Sequence, residues 1–304
     1  MDRTNPYFKQ VSLLVRALPV VGRSDCCALK GGTAINLFIR NMPRLSVDID
    51  LVYLPIKRRE ESLHEITAEM ERIERKLRNS INGISIQRSY LNRTKVLIRL
   101  ILELDRAKIK IEISAVLRGT VYRGSLRKIC APAEEFFGYA EVPIVSFEDL
   151  FGGKIVAALD RQHPRDLFDV KNLLENEGIS EKLKKAFIVY LISHDRTIHE
   201  VLNPTFLDIE EMFFKDFQGM TIEDVDLDEL KEARVRLVDS IKDSLNREDK
   251  EFLLAFKRGN PDWTYFPETH IRDLPAVKWK QHNLDKIEKK KRMKMIEQLE
   301  QSLS

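Results

Sequence analysis

Apolar residues change their spacing part-way along the chain, and that change divides it. Between residues 60 and 79, Leu63, Ile66, Met70, Ile73 and Leu77 recur three and four apart, which predicts an amphipathic helix. Residues 84–90 (ISIQRSY), 95–104 (KVLIRLILEL) and 108–114 (KIKIEIS) alternate with period two and predict strands. Asn82-Gly83 and Asp105-Arg106-Ala107 interrupt them, so the last two runs form a hairpin or meander. Beyond about residue 145 the period-two signal stops. Ser146 with Asp149 three positions on reads as a helix start, and Phe147, Leu150, Phe151, Ile155, Ala158 and Leu159 continue an apolar face. Pro164 breaks that run, and a helix resumes over 166–175. Further helices are predicted near 181–201, 206–217, 226–246 and 248–257, and a charged helical tail ends the chain. The pattern is therefore an α+β domain followed by a helical one, with the boundary in 140–180. Placed at 175, it gives domains 1–175 and 176–304.

Composition narrows the class. The 304 residues carry 51 Lys+Arg against 48 Asp+Glu, a net +3, with 43% hydrophobic and 33% charged residues. That near-balance excludes a polybasic binder acting through bulk charge and an acidic disordered tail. Apolar runs fall short of the ~18 residues of a membrane span. Asp2, Lys9 and Arg16 interrupt the N-terminal apolar positions, so no signal-peptide core is expected. Cys26 and Cys27 are adjacent and Cys130 is remote, a spacing that suits neither a metal site nor a disulfide framework. A reduced, cytoplasmic protein is the expectation. Trp263 and Trp279 read as packing anchors and His163 as a loop residue.

The candidate chemistry lies in three places. In Arg44-Leu45-Ser46-Val47-Asp48-Ile49-Asp50-Leu51, strand alternation buries Leu45, Val47, Ile49 and Leu51 and puts Ser46, Asp48 and Asp50 on the other row. Carboxylates about 7 Å apart along a strand can lean onto one hard cation and leave room for water and phosphate oxygens, as Mg²⁺ prefers. The same pattern also describes the solvated row of an ordinary strand. Upstream, Gly31-Gly32 follows the apolar segment 26–29 and opens a helical pattern over 34–40. Glycines there bring backbone N–H groups close to an anion. Thr33 either donates to a phosphate or caps the helix. In 108–114 the burial of Ile109, Ile111 and Ile113 turns Lys110, Glu112 and Ser114 to the opposite face. Glu112 joins the aspartates if the two strands are neighbours, and could then help hold metal or take a proton. Third, Lys154 is a single ammonium on an apolar helix face, and Asp166 and Asp169 of Arg165-Asp166-Leu167-Phe168-Asp169 share a face at i and i+3. An anion site and a structural ion-pair set both fit that last group.

Together these motifs resemble the DNA-polymerase-β-like nucleotidyltransferases, and within them the AbiEii/AbiGii toxin family of type IV toxin–antitoxin systems. Leu29-Lys30-Gly31-Gly32-Thr33 and Ser46-x-Asp48-x-Asp50 are similar to the opening motif, Lys110-Ile111-Glu112-Ile113 to the second, Lys154 to a helix lysine and Asp166 to a fourth motif. In the family Asp is commoner where Glu112 stands. The resemblance covers roughly 25–175. It implies a polymerase-β-like mixed sheet with flanking helices, followed by an α-helical C-terminal domain. It further implies metal-dependent transfer of a nucleotide from an NTP to an acceptor, with the 3′ end of tRNA modified by some relatives and a cognate antitoxin encoded nearby. On this reading Asp48, Asp50 and Glu112 hold Mg²⁺ or Mn²⁺, or Glu112 instead orients the acceptor hydroxyl. Gly31, Gly32, Thr33, Ser46, Lys154 and Arg165 contact the nucleotide, and Asp166 positions Lys154 or contacts the nucleotide.

Two other classes share these residues. A small-molecule transferase acting on a cationic antibiotic would want an acidic pocket, which the 208–232 run could supply, and a protein acceptor is a further variant. An RNA acceptor would want basic surface, for which 278–294 and Lys57-Arg58-Arg59 are candidates. A non-catalytic nucleotide-binding module is the alternative outside enzymes, against which the intact acidic set argues.

Overall fold

The computed structural model describes residues 6–304, which leaves Asp2 outside the described residues. The chain forms two compact units, Met1–Leu150 with Gln218–Asp224, and Phe151–Phe217 with Val225–Ser304.

The first unit is built on a seven-stranded mixed sheet. Its elements run α1 (Pro6–Val21), β1 (Cys27–Lys30), α2 (Gly31–Ala34), β2 (Asp48–Tyr53), α3 (Arg59–Ser80), β3 (Ser85–Tyr90), β4 (Leu97–Leu104) and β5 (Ala107–Ile113). Then follow β6 (Ser125–Lys128), α4 (Ala131–Phe137) and β7 (Glu141–Ile144). The strand order is β3-β4-β5-β2-β1-β7-β6, with β2 parallel to β5, β1 parallel to β7 and the remaining pairs antiparallel. The three alternating runs become β3, β4 and β5. The turn between the last two is a two-residue hairpin in which Asp105 (φ 49) and Arg106 (φ 68) both take positive φ, the form that matches strand twist. Ile49, Leu51, Ile109, Ile111, Ile113, Leu100 and Leu102 are buried in the sheet, against which α1 and α3 pack. Helix α3 buries Ile66, Met70, Ile73 and Leu77, four of the five positions that its spacing marks.

Two local expectations shift. The strand predicted from residue 45 starts at Asp48, because its lead-in pairs elsewhere: Leu45 N–H donates to the Met220 carbonyl (2.7 Å) and Ile222 N–H to the Pro43 carbonyl (3.0 Å). The helical pattern over 34–40 is a four-residue α-turn at 31–34 followed by a π-helical turn at Ile35–Ile39, whose wide ring closes from Arg40 N–H to the Ile35 carbonyl. Helices α1 and α4 and strands β6 and β7 are not marked by the periodicity.

The second unit is helical. It takes the rest of α5 (Phe147–Arg161), then α6 (Pro164–Asn176), α7 (Glu181–Ser193), α8 (Ile198–Leu202), α9 (Glu210–Asp216), α10 (Leu227–Ser244), α11 (Arg247–Arg258), α12 (Pro275–Asp285) and α13 (Lys289–Leu303). At the start of α5, Ser146 Oγ accepts from Asp149 N–H at 3.0 Å, the cap expected there. The single helix predicted over 181–201 is two, since residues 194–197 break it and Thr197 opens a new capping box with Glu200. Helix α9 covers only part of 206–217. Trp263 packs against Phe252, Phe256 and Phe266, as an anchor should. Trp279 does not: it is more than half exposed on α12. His163 is the N-cap of α6, its Nδ1 accepting from Arg165 N–H at 3.1 Å. Among the described residues no helix is long and apolar enough to cross a membrane.

Candidate active site

Strand register brings the first-unit residues together. Lys30 of β1 lies opposite Asp50 of β2, Asp50 opposite Glu112 of β5, and Glu112 opposite Arg99 of β4. One row across four adjacent strands therefore reads Lys30, Asp50, Glu112, Arg99. The next row pairs Asp48 with Lys110. Neighbouring strands are ~4.8 Å apart, so these side chains share one face.

Cations flank the acidic centre. Arg99 Nη2 donates to Glu112 Oε1 at 2.8 Å, and Lys110 Nζ lies 3.1 Å from Glu112 Oε2. Burial pushes the Glu112 carboxyl up, but these two partners outweigh it and hold the group below its ordinary value. Burial works against the Lys110 ammonium as well. The charges of Asp48 and Asp50 reverse that and keep it firmly protonated.

Gly31 and Gly32 are where the glycine pair becomes necessary. Gly31 has φ +73, and a Cβ on it would sit 2.7 Å from Asp50 Oδ2. A Cβ on Gly32 would meet Arg44 Nη2 at 2.7 Å and Ser46 Oγ at 3.1 Å. The turn thus places bare backbone against the Asp50 carboxylate, at the head of α2. Thr33 is buried and donates to the Asp48 carbonyl, with its Oγ1 2.9 Å from Ser46 Oγ. Its hydroxyl fastens the turn to the start of β2. Arg44, also buried, reaches the Leu45 carbonyl through Nη1 at 2.9 Å.

In the second unit, Lys154 is only 7% exposed and its Nζ bridges Asp166 Oδ1 (2.6 Å) and Asp169 Oδ2 (3.0 Å). Arg161 Nε adds a 2.6 Å contact to Asp166 Oδ2. Burial would raise the Asp166 pKa, but Lys154 and Arg161 force it well below the usual carboxylate range. The i, i+3 spacing of the two aspartates thus closes on the α5 lysine. Arg165 is half-buried beside His163, with Nη2 3.5 Å from its Nε2. Burial, and then the charge of Arg165, drop the His163 pKa to about 4, so its ring is neutral at physiological pH.

The structure therefore gathers Gly31, Gly32, Thr33, Ser46, Asp48, Asp50 and Glu112 in the first unit, and Lys154, Asp166 and Arg165 in the second. Sequence reasoning passed over Lys30, Arg44 and Arg99. Arg99 is the one cation of β4, a signal that acquires meaning only once β4 is known to neighbour β5.

A family model described as the nucleotidyl transferase AbiEii toxin of type IV toxin–antitoxin systems matches residues 12–283. The chain belongs to the AbiEii family. It is accordingly a nucleotidyltransferase of the toxin class. Among solved structures it is similar to MenT4, a nucleotidyltransferase toxin from Mycobacterium tuberculosis H37Rv. The TM-score is 0.61 at 13% identity, over 93% of this chain and 95% of that one. That likeness shows the fold that the two share. A search of the curated proteins returns no match.

AbiEii membership implies an NTP substrate and a divalent cation, and the residues fit a two-carboxylate version of such a site. Mg²⁺ is commonly held by one or two carboxylates plus water and substrate phosphates. Asp48 and Asp50 supply the two carboxylates, and the absence of a side chain at Gly31 lets the Asp50 carboxylate lie against the backbone at the head of α2. Glu112 is held by Arg99 and Lys110 instead, and among the described residues no three His, Cys, Asp or Glu side chains are set to hold a metal together.

Proposed function

We propose that this AbiEii toxin transfers a nucleotide from an NTP to an RNA acceptor, the 3′ end of tRNA in particular. The observation that carries the reading is the pairing of Asp48 and Asp50 on one face of β2 with Gly31 backbone pressed against the Asp50 carboxylate. When bound, Mg²⁺ or Mn²⁺ held by Asp48 and Asp50 would neutralise triphosphate charge and polarise the α-phosphoryl group.

The backbone N–H groups of Gly31 and Gly32 at the head of α2 cradle phosphate oxygens. Thr33 and Ser46 fix the position of Asp48 through its backbone, acting one step removed from the nucleotide. Glu112 accepts a hydrogen bond from the acceptor hydroxyl, turning its oxygen towards the α-phosphorus. Arg99 and Lys110 keep that carboxylate ionised and in place. The hydroxyl oxygen bonds to the α-phosphorus, the bond to the β-phosphate oxygen breaks, and pyrophosphate leaves. The hydroxyl proton passes to a carboxylate of the cluster. Lys154 neutralises triphosphate charge, positioned by Asp166 and Asp169, and Arg165 adds a contact to the nucleotide. These last roles follow the family pattern. A cognate antitoxin encoded nearby restrains the enzyme in the cytoplasm, where NTP and tRNA are at hand.

The test is incubation of the purified chain with each α-labelled NTP, total RNA and Mg²⁺. Label is expected to enter a tRNA-sized band with the wild type and to fall at least ~100-fold with Asp48→Asn or Asp50→Asn. Label that enters small molecules or protein but never RNA would overturn the acceptor assignment.

A further inference from the structure

Trp279 is the side chain that the packing of the helical unit leaves unexplained. Helix α12 buries Ala276, Val277 and Leu284, and on the same inner side Lys280 donates to the carbonyls of Asp195 and Arg196, each at 3.0 Å. Those contacts fix the rotation of the helix and turn its other face to solvent. At about 100° per residue, Lys278, Trp279, His282, Asp285 and Lys286 fall on that outer face, and all five are exposed. Trp279 keeps 55% of its surface open. The indole is the largest apolar side chain, and it is enriched where proteins meet partners.

The surroundings of Trp279 say what kind of partner. The His282 ring lies 6.0 Å away, tilted by 36°, so the two rings offer one aromatic surface to solvent. Charges rather than aliphatic side chains border it. From 278 to 291 the chain carries six lysines against Asp285 and Glu288. Lys278 is tied to Asp273 at 2.8 Å. Lys286, Lys289, Lys290 and Lys291 are exposed and, among the described residues, make no ion pair. The Asp285 carboxylate stands 3.8 Å from Arg292 Nη2.

An aliphatic protein surface covering the indole would strip water from these ammonium groups with no acceptor to replace it. Single-stranded RNA satisfies both features. Every base has a π-face that stacks on an indole, and the phosphates between bases pair with lysines. Lys286 lies seven residues beyond Trp279 on the same face, ~10 Å along the axis, where it meets phosphates flanking a stacked base.

We propose that the outer face of α12 is a stacking platform for single-stranded RNA. A base lies on the Trp279 indole with His282 beside it, and the neighbouring phosphates are held by Lys286 and the lysines at the start of α13. The inference rests on the RNA-acceptor reading above and adds where in the helical unit such an RNA is gripped.

The experiment measures binding without turnover. It uses the full chain and a labelled single-stranded RNA of about 12 nucleotides, with no NTP and no divalent cation. Trp279→Ala is expected to weaken binding about 10-fold, and Trp279→Phe, which keeps a ring, to restore most of that loss. Lys286→Met should flatten the slope of log K against log salt by about 0.7, the share of one phosphate contact to a single strand. Fluorescence reads stacking directly. The chain has two tryptophans, so Trp263→Phe leaves Trp279 as the sole indole, and RNA should quench it. Should that change disturb the phenylalanines around Trp263, the affinity of Trp279→Ala, which alters exposed surface, still decides.

Equal RNA affinity in wild type and Trp279→Ala would overturn the proposal and assign the indole to a protein partner. Affinity lost in Lys286→Met but kept in Trp279→Ala would overturn it too, since charge alone would then account for binding. Label incorporation separates this inference from the acceptor reading. Transfer to RNA with Trp279-independent binding removes the platform and spares the acceptor. Trp279-dependent binding with label entering only small molecules or protein does the reverse.

Discussion

Replacing Lys154 by Met tests the charge logic of the second unit most directly. The side chain keeps its length, but the cation between Asp166 and Asp169 disappears. At an effective dielectric of about 20, a pair of unit charges ~3 Å apart is worth roughly 5–6 kcal/mol. Lys154 makes two such contacts, at 2.6 and 3.0 Å. Much of that gain offsets the cost of burying three ions, so the net loss on removing one partner is about 3–5 kcal/mol. Asp166 retains Arg161, which places the expectation in that range rather than above it. Thermal unfolding should show a Tm lower by roughly 6–20 °C.

The pH dependence carries the sharper reading. In the wild type the depressed pKa of Asp166 contributes stability that is present above the ordinary carboxylate range and lost as pH falls through the folded-state value. In Lys154→Met the buried aspartates bind protons more tightly folded than unfolded. The deficit should therefore be largest near pH 7 and shrink towards pH 4.5. Adding Asp166→Asn and Asp169→Asn should recover part of the loss at pH 7. A deficit below about 1 kcal/mol, or one equal at both pH values, would refute the argument and reduce the group to a packing contact.

Other substitutions probe the first unit. Gly31→Ala forces a side chain into φ +73 and 2.7 Å from Asp50 Oδ2; a stability loss of about 1–3 kcal/mol should accompany a roughly 100-fold fall in nucleotide transfer, measured by urea unfolding and label incorporation. Arg99→Met removes one of the two cations that hold the Glu112 carboxyl down, so the acid limb of the activity–pH profile should move to higher pH. The Cys26 thiol, its pKa lowered to about 7 chiefly by the hydrogen bond from Cys27, should alkylate before Cys27 and Cys130 with a midpoint near pH 7, read by peptide mass mapping. That same contact, and then burial, push Cys27 up, and equal rates at the two sites would contradict the assignment.

Alternation and spacing are local properties, and the sequence by itself determined what rests on them. The period-two runs placed β3, β4 and β5, the three-and-four spacing placed α3, and the opposite row of β2 was legible as acidic before any strand had a neighbour. The motif set likewise sufficed to identify the family. What the sequence left open depends on partners distant along the chain. That Asp50 lies against Glu112, and Glu112 against Arg99, follows from β2 running parallel to β5 between β1 and β4. A hydrogen-bonded register between non-consecutive strands has no local signature. Residues 45–47 were read as strand because their alternation is sound, but the lead-in at 43–45 hydrogen-bonds to segment 220–222 instead. The basic tail offers the same lesson in charge. Composition treats Lys278, Lys280 and Arg292 alike, and only the packing of α11, α12 and α13 leaves the first in water while Lys280 reaches the carbonyls of His194, Asp195 and Arg196 and Arg292 that of Lys257.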